Sequence, residues 1–401
     1  MYFVILLLCD PRVGELEGWV NKRGRFFFVF FLFSVVGLLL FFSFFSPPLF
    51  GFSTKIGYQI MSTKRQAPKE KLKTVVNTPA QVLNVDVDLR RLHEACGSLG
   101  EYIVPFMRRL KMELQRVKDG EQADVPTVPL FVHGEIPYAE IKQLFLDVLS
   151  TYPFLRVMQL HHCAIGDEGI LTIVDFIRSY RPSPDRNPFG IQCLELLECL
   201  IGPTGAKYFA KLLSENETLT RCLLDFNPLG DAGAEAIGKA MLWNGTLEDL
   251  SLQYCNIGAS GANALAEGVL RCSNVRVFSL RGNPVGPEGI KAIGAALSIG
   301  NRINSLDIAG TGFGGSFPAV ESFCQGAECS PSLTSVDMDY NLLAPEAGSL
   351  IASLISKNKR LVQFRVNERM EVSEFLTIQN ALEQNMRNAK KKKKKTKAPK
   401  S

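Results

Sequence analysis

The chain has 401 residues, which is enough for one or two domains, and its formal net charge is +5. This near-neutral total conceals an uneven distribution: residues 127–386 carry 19 basic and 28 acidic side chains, whereas residues 387–401 carry nine basic and no acidic ones. The ten cysteines lack the spacing of a zinc site or of a disulfide framework. The composition therefore excludes a disulfide-stapled secreted scaffold and favours reduced thiols in a cytosolic chain.

Residues 26–45 (FFFVFFLFSVVGLLLFFSFF) contain no charge and are long enough to span a bilayer. Three basic residues precede them, so a span here would keep its N-terminus in the cytoplasm and place the rest of the chain across the membrane. That topology predicts glycans at Asn216 and Asn244, although Asn is also ordinary turn chemistry at both positions. A membrane partner follows only if residues 1–60 belong to the protein.

A different origin for the leader is favoured by its composition. Residues 1–60 hold 13 of the 27 phenylalanines, as expected when a T-rich untranslated stretch is read as protein. Met61 then opens MSTKRQAPKEKLK, which is typical of a soluble N-terminus. We predict that the functional protein starts at Met61, with a membrane anchor and a cleaved signal as the alternatives.

Residues 61–126 are predicted to form a basic segment and a helical cap, with the helix between residues 89 and 118. Residues 128–149 (VPLFVHGEIPYAEIKQLFLDVL) come next, with Leu130 and Val132 in strand positions. They lack the glycines of the units that follow, so we interpret them as a degenerate first repeat.

A repeat dominates the rest of the chain. In the unit that starts at Val275, apolar residues stand at offsets 0, 3 and 5, Asn at offset 8, and Gly at offsets 11 and 14. The unit starts are spaced by 36, 28, 28, 28, 28, 30 and 28 residues. They are Leu155, Ile191, Leu219, Leu247, Val275, Ile303, Leu333 and Leu361. Residues 127–371 are therefore predicted to be a repeat domain.

Each unit predicts a short strand at offsets 2–6 and, after a glycine turn, an amphipathic helix. One unit cannot bury its own apolar edge, so the units must stack. Strands stack about 4.8 Å apart, whereas helix axes need about 8–10 Å, so the stack bends. The predicted fold is an α/β solenoid shaped as a horseshoe, with parallel strands on the concave face and helices on the convex face.

Two places break the period. Residues 181–188 (RPSPDRNP) account for the long first spacing, and we place a smaller insertion at CQGAECSP, near Cys324. Both are predicted to be rim loops that could contact a partner, with tolerated surface insertion as the alternative.

The pattern LxxLxLxx(N/C)xLGxxGxxxLxxxL, from Leu155 to Asn367, resembles the ribonuclease-inhibitor-like class of leucine-rich repeats. That class includes ribonuclease inhibitor, the repeat domains of NOD-like receptors and Ran GTPase-activating protein. The resemblance implies the fold and a protein-binding role without naming the partner. GTPase activation is the alternative that it implies, but that family ends in an acidic region where this chain is basic. A membrane-anchored leucine-rich repeat receptor is a further alternative.

Catalytic chemistry has no support in the sequence. We find no Ser-His-Asp arrangement, no paired catalytic carboxylates and no cofactor loop; GTGFGG, residues 310–315, is the glycine turn of one repeat. The sequence HHC, residues 161–163, has no carboxylate cluster to complete a metal site. We predict a non-enzymatic interaction scaffold without a cofactor.

The concave face is the predicted partner-binding surface. Offsets 4, 6 and 7 project away from the core and carry seven acidic residues, Glu368 included, against Arg281 and Arg365. Offset 7 also supplies three aromatic residues of the kind that anchor interfaces. A basic protein partner is therefore expected, with a merely soluble face as the alternative. The candidate residues are Glu195, Glu198, Asp225, Phe226, Gln253, Tyr254, Arg281, Asp307, Asp337, Asp339 and Tyr340.

The C-terminal end combines a predicted capping helix, residues 372–388, with a polylysine tail, residues 389–401. The cap would bury Phe375, Ile378, Leu382 and Met386. The tail is expected to stay unfolded because its charges repel, and to contact RNA, anionic lipid or another acidic polymer, to act as a nuclear address, or merely to solubilise. Its lysines are Lys390, Lys391, Lys392, Lys393, Lys394 and Lys395. The expected location is cytoplasmic, nuclear or cytoskeletal, with a single N-terminal membrane span as the alternative.

Overall fold

The structure is a computed structural model that describes residues 155–180, 190–271, 274–299, 301–367 and 370–397. It also describes short stretches between residues 105 and 149 and four residue pairs between 19 and 38. The chain divides into two compact units, residues 1–74 and 75–401.

The first unit contains two antiparallel strand pairs. Strand β1 (Trp19–Val20) pairs with β2 (Phe26–Phe27), and β3 (Phe33–Ser34) pairs with β4 (Gly37–Leu38). Most of the predicted span, residues 26–45, lies outside the described residues. Within the part of the chain that the structure describes, no helix has the length and apolar character needed to cross a bilayer.

The second unit is a nine-stranded parallel sheet whose strands alternate with helices. The strands are β5 (Leu130–His133), β6 (Val157–His161), β7 (Cys193–Leu197), β8 (Arg221–Leu223), β9 (Asp249–Ser251), β10 (Val277–Ser279), β11 (Ser305–Asp307), β12 (Ser335–Asp337) and β13 (Gln363–Arg365). The helices are α1 (Gly166–Ser179), α2 (Pro203–Glu215), α3 (Gly230–Met241), α4 (Ala259–Leu265), α5 (Gly286–Ser298), α6 (Phe317–Cys329), α7 (Ala347–Lys357) and α8 (Val372–Lys397). A π-helical turn, Ala266–Leu270, continues α4.

The sheet follows chain order from β5 to β13, and each strand pairs with its neighbours at the same repeat offset. Phe278, at offset 3 of its unit, pairs with Leu250 and Leu306 at offset 3 of theirs. Strand β5 pairs with β6 through Leu130 and Met158, as expected of a degenerate first repeat. The predicted α/β solenoid is confirmed.

The core lies between the sheet and the helices. The apolar residue that starts each unit is at most 1% exposed in all eight units. Offsets 3 and 5 are buried in the same way, as at Leu250 and Leu252. On the helix side, Ile290, Ile293 and Leu297 of α5 are fully buried. Burial of these stripes drives the stacking of successive units.

A buried polar ladder runs through offset 8. The Asn227 Oδ1 atom accepts hydrogen bonds from the backbone N–H groups of Cys199 (2.9 Å) and Ile201 (3.1 Å) in the preceding unit. Its Nδ2 group donates to the carbonyl oxygen of Leu196 at 2.7 Å. From the second to the seventh unit, a unit with Cys or Thr at this position is followed by a unit with Asn, and each amide completes the turn of the unit before it. The same bonds recur at Asn283 and Asn341.

Asp231 caps a helix in the next unit. Its Oδ1 atom accepts hydrogen bonds from the backbone N–H groups of Gly258 (2.6 Å) and Gly261 (3.1 Å), and its Oδ2 atom accepts one from Ser260 (2.7 Å). Burial acts to raise the pKa of Asp231, but these hydrogen bonds outweigh it and lower that pKa. The first turn of α4 thus obtains its acceptor from a neighbouring repeat.

The two predicted insertions have different outcomes. Residues 181–189 lie outside the described residues. The smaller insertion does not form a loop at Cys324, which is buried inside α6. Helix α5 begins 11 residues after its unit start, whereas α6 begins 14 residues after its own. The predicted position was wrong, because the extra residues widen the turn before α6, where Phe313 is fully buried.

Helix α8 ends the described solenoid. Ile378 and Leu382 are buried, as the predicted cap requires, but Met386 is 38% exposed. Asn385 is fully buried in its place and donates a hydrogen bond to the carbonyl oxygen of Leu361 at 2.9 Å. The expectation of an unfolded tail from residue 389 was wrong, since α8 continues through Lys397. Lysine is a good helix former, and cations are favourable at a helix C-terminus.

Candidate partner-binding face

The concave face is the side of the sheet that the helices leave uncovered. It is formed by offsets 4, 6 and 7, whereas the inward-pointing residues of offsets 3 and 5 are buried. Because the strands pair at equal offsets, residues of one offset form a row across the sheet. The sequence-predicted candidates on neighbouring units are therefore neighbours in space.

Offset 7 has an unusual backbone conformation in seven consecutive units. Its φ angle is positive in every one, which is the left-handed region that favours glycine. The backbone N–H still reaches the next unit, as from Tyr254 to the carbonyl oxygen of Arg281 at 2.9 Å. The geometry of the turn thus imposes this conformation whatever residue is present. The seven residues and their φ angles are His162 (56°), Glu198 (53°), Phe226 (61°), Tyr254 (52°), Gly282 (70°), Gly310 (63°) and Tyr340 (57°).

Three of these positions hold exposed aromatic rings. Phe226 and Tyr254 are 50% and 48% exposed, and their rings stack with centroids 4.9 Å apart and planes 8° apart. Tyr340 is 73% exposed, and the guanidinium carbon of Arg281 lies 5.9 Å from the centre of its ring. The rings form a discontinuous row along one edge of the concave face.

Arginines partly neutralise the carboxylates at the C-terminal half of the face. Arg281 contacts Asp307 through Nε at 3.1 Å and Asp337 through Nη2 at 2.9 Å. Arg365 also reaches Asp337, at 3.4 Å. Asp339 lies beside this cluster, where its Oδ1 atom accepts a hydrogen bond from the backbone N–H of Tyr340. Among the described residues, Asp339 has no ion-pair partner.

The N-terminal half carries a second group of charges. Glu195 lies 3.5 Å from His161 Nε2 and 3.8 Å from Arg221 Nε, and Glu198 lies 2.7 Å from His162 Nδ1. Burial lowers the pKa of His161, although Glu195 opposes that effect. Most carboxylates of the face thus have a cationic or titratable neighbour.

Asp225 does not belong to the accessible surface. It is only 6% exposed, and its Oδ1 atom accepts a hydrogen bond from the backbone N–H of Gln253 at 2.8 Å. Burial raises the pKa of Asp225 despite this bond and one with Ser251. Asp225 was predicted to contact a partner, but the structure leaves little of it accessible, because the side chain folds back into the turn of the next unit. Gln253 is half-buried, and Glu368 lies outside the described residues.

Offsets 2 and 9 also contribute residues to this face, although the prediction from the sequence did not include them. Arg221 and Asp249, at offset 2, lie on the same face 3.4 Å apart. Leu200 and Leu342, at offset 9, are 58% and 70% exposed beside the aromatic row. The signal was present in the sequence, since alternation along a strand places offset 2 on the face of offset 4.

The two predicted glycosylation asparagines are engaged in turns. Asn244 is 4% exposed; its Nδ2 group donates to the carbonyl oxygen of Leu213 at 2.8 Å, and its Oδ1 atom accepts from the N–H of Leu247 at 2.9 Å. Asn216 is half-buried and accepts from the N–H of Leu219 at 2.7 Å. A glycan on Asn244 would break the turn that the amide completes.

The described residues form no metal site, and most of their cysteines are buried. No group of three or more His, Cys, Asp or Glu side chains there is placed to hold a metal ion. The described cysteines are free thiols, and five of them are buried. Burial raises the pKa of Cys255 and of Cys324 to about 12, so both stay protonated at neutral pH.

Comparison with known proteins identifies the repeats. The family described as Leucine Rich repeat matches residues 153–174, 244–266 and 271–294. No curated protein matches the chain at the sequence level. Among solved structures, the tropomodulin C-terminal domain of Caenorhabditis elegans is 15% identical and covers 47% of this chain and 97% of that chain, with a TM-score of 0.32.

Two other structures are similar to parts of the chain. Leiomodin-1 actin-binding site 2 is 16% identical and covers 48% of this chain and 78% of that chain, with a TM-score of 0.23. A structure of the Rad7 and Elc1 complex in yeast is 13% identical and covers 72% and 91%, with a TM-score of 0.29.

Proposed function

We propose that this leucine-rich repeat protein is a non-enzymatic scaffold that binds a protein partner on its concave face. One observation carries the proposal: three exposed aromatic residues occupy offset 7, where the backbone conformation favours glycine. Two other units have glycine there, at Gly282 and Gly310. The fold therefore accepts glycine at this position, and folding alone does not explain why three units carry an aromatic residue there.

The energetics favour binding over folding as that explanation. A left-handed conformation costs a residue with a Cβ atom about 1–2 kcal/mol. The stack of Phe226 on Tyr254 recovers about 0.5–1.5 kcal/mol, but Tyr340 is exposed and recovers little. Large exposed rings in fixed orientations are typical anchors of protein interfaces. We infer that the aromatic row is the centre of the interface.

Charge favours a basic partner. Over offsets 2, 4, 6 and 7 the described face carries more carboxylates than arginines, and Asp339 has no described ion-pair partner. Such a field would speed the encounter with a basic surface and would weaken with salt. Apart from the buried Asp225, the acidic residues are Glu195, Glu198, Asp249, Asp307, Asp337 and Asp339, and the arginines are Arg221, Arg281 and Arg365.

Affinity capture tests the proposal. The tagged full-length chain is compared with a variant in which Phe226, Tyr254 and Tyr340 are all changed to Asn, which tolerates positive φ. Trp243→Asn is the matched control, because Trp243 is 80% exposed but follows helix α3, away from the sheet. We expect the triple variant to lose partners that the control retains. Identical sets of partners for the wild type and the triple variant would contradict the proposal.

We further propose that the lysine-rich end of α8 binds an acidic polymer or surface through electrostatics. The supporting observation is that the helix continues through Lys397, which concentrates the charges of Lys390–Lys395 on a rod instead of a loose coil. Lys390 and Lys391 are exposed. Salt-dependent binding that disappears with the tail is the expected behaviour.

A further inference from the structure

We propose that an arginine side chain of the protein partner inserts between the rings of Tyr254 and Tyr340, above Gly282 and Gly310. This space is called the glycine opening below. The inference rests on the proposed function, since it specifies which chemical group the concave face recognises. It concerns the gap in the aromatic row, whereas the proposed function concerns the row as a whole.

The glycine opening has a floor of backbone. A Cβ atom added at Gly282 would lie 2.2 Å from Cε1 of Tyr254, so the ring of Tyr254 leans over Gly282. A Cβ atom added at Gly310 would meet only ordinary contacts, the nearest at 3.8 Å to Gly282 and to the Cβ atom of Tyr340. An added Cβ atom at Gly310 would thus meet no clash, with Tyr254 and Tyr340 on either side, and the guanidinium of Arg281 borders this position at 5.9 Å from the centre of the Tyr340 ring.

The width suits a planar group. Neighbouring strands lie about 4.8 Å apart, so the ring over Gly282 and the position of Tyr340 are separated by about 10 Å. A flat group between two rings needs about 7 Å, since carbon atoms in contact lie about 3.5 Å apart on each side. A guanidinium or an aromatic ring can enter, and the backbone floor leaves no side chain to displace.

Charge selects the guanidinium. Asp339 lies next to Tyr340, where its Oδ1 atom accepts a hydrogen bond from the backbone N–H of Tyr340, and we assign this carboxylate to the incoming group. The nearby Arg281 does not repel a second cation strongly, because Asp307 and Asp337 both contact it. An incoming aromatic residue carries no charge and would not form an ion pair with Asp339.

Arginine fits better than lysine for geometric reasons. Its guanidinium group is planar, stacks on aromatic faces and pairs with carboxylates through two N–H groups. Arg281 already shows this preference within the chain, since it lies near the ring of Tyr340 and contacts two carboxylates. A lysine ammonium could pair with Asp339 but would not fill the space between two rings.

Filling the opening tests the inference. Gly310→Asn places a side chain in the space, and Asn tolerates the positive φ of this position. Gly230→Asn is the matched control: it also has a positive φ and nothing within 4 Å of an added Cβ atom, but it starts helix α3. Neither change alters the charge of the face. Circular dichroism and thermal melting check that both variants are folded.

The probe is a fluorescein-labelled nonapeptide of alternating serine and arginine, compared with peptides that carry lysine or uncharged, planar citrulline instead. Fluorescence anisotropy with the full-length chain measures the dissociation constants. We expect the arginine peptide to bind most tightly, Gly310→Asn to weaken it at least tenfold, and Gly230→Asn to change it less than twofold. Asp339→Asn keeps the shape of the opening and should weaken the arginine peptide without affecting the citrulline peptide.

Equal affinity of the arginine peptide for the wild type and for folded Gly310→Asn would overturn the inference. If Gly310→Asn does not fold, an unchanged affinity in Asp339→Asn overturns it instead. The inference can fail while the proposed function stands: if Tyr254→Ala or Tyr340→Ala weakens the binding of the peptide but Gly310→Asn does not, the face binds and the opening is not used. If none of these variants changes binding, both proposals fail.

Discussion

The ring of Tyr254 stacks on the ring of Phe226, at 4.9 Å and with nearly parallel planes, although each residue belongs to a different repeat unit and has a positive φ. The turn conformation, repeated at a fixed spacing, directs both side chains the same way. Rings that are held in position before a partner arrives lose little freedom on binding. The repeat itself therefore pre-organises the surface.

The exposed ring of Tyr340 should be dispensable for folding. Tyr340→Asn removes a side chain that is 73% exposed and relieves part of the cost of its positive φ. We expect the free energy of unfolding in urea to stay within about 1 kcal/mol of the wild type. A loss of more than about 2 kcal/mol would show that the ring serves the fold.

Asn227 should matter far more than an exposed asparagine. Asn227→Ala leaves the N–H groups of Cys199 and Ile201 buried without an acceptor, and we expect a cost of about 2–4 kcal/mol in urea unfolding. Asn263→Ala, on the exposed side of helix α4, is the control and should be neutral or slightly stabilising. Similar costs for the two variants would argue against the buried ladder.

Asp225 should make stability fall as pH rises. Burial raises its pKa in the folded state, so the folded protein holds this proton over a pH range in which the unfolded chain has released it. The loss of stability begins as pH rises above the pKa of Asp in the unfolded chain, about 3.9, and is complete once pH exceeds the raised pKa of Asp225 in the folded protein. Asp225→Asn should remove it, so the variant gains stability relative to the wild type between pH 4 and 7. Urea unfolding across that range checks this; a constant difference would refute it.

Removal of the tail should separate binding from folding. Deleting residues 389–401 takes away the lysine cluster, while Ile378, Leu382 and Asn385 still close the core. We expect the melting temperature to be nearly unchanged and salt-dependent binding to heparin, used as an acidic polymer, to be lost. Heparin binding with the same salt dependence in both proteins would assign that activity to another surface.

The repeat was predictable from sequence because stacking imposes one environment on each offset. Residues such as Leu250 and Phe278 must be apolar for the units to stack, so the spacing of apolar residues in the sequence predicts the fold. The position of the smaller insertion was not predictable, because a widened turn before α6 and a loop after it give the same spacing. The structure separates them through the burial of Phe313 and Cys324.

The candidate face was predictable in composition but not in exposure. Asp225 and Asp339 both stand at offset 6 of their units, so the sequence pattern predicts the same exposure for both. Asp225 is instead buried, where it accepts a hydrogen bond from the next turn, and Asp339 is half-buried beside Tyr340. The left-handed conformation of offset 7 could not be predicted from the sequence either, since glycine occurs there in only two of the seven units. Such details depend on hydrogen bonds between units, which a linear pattern does not record.

Site-specific photocrosslinking tests whether a protein partner binds the concave face. A photoreactive phenylalanine analogue replaces Tyr254 or Tyr340 on the concave face, or Trp243 as an exposed aromatic away from the sheet. After irradiation in cells, crosslinked adducts are identified by mass spectrometry. We expect the same protein adduct from positions 254 and 340 and no such adduct from position 243. An adduct formed from position 243 but from neither tyrosine position would contradict it.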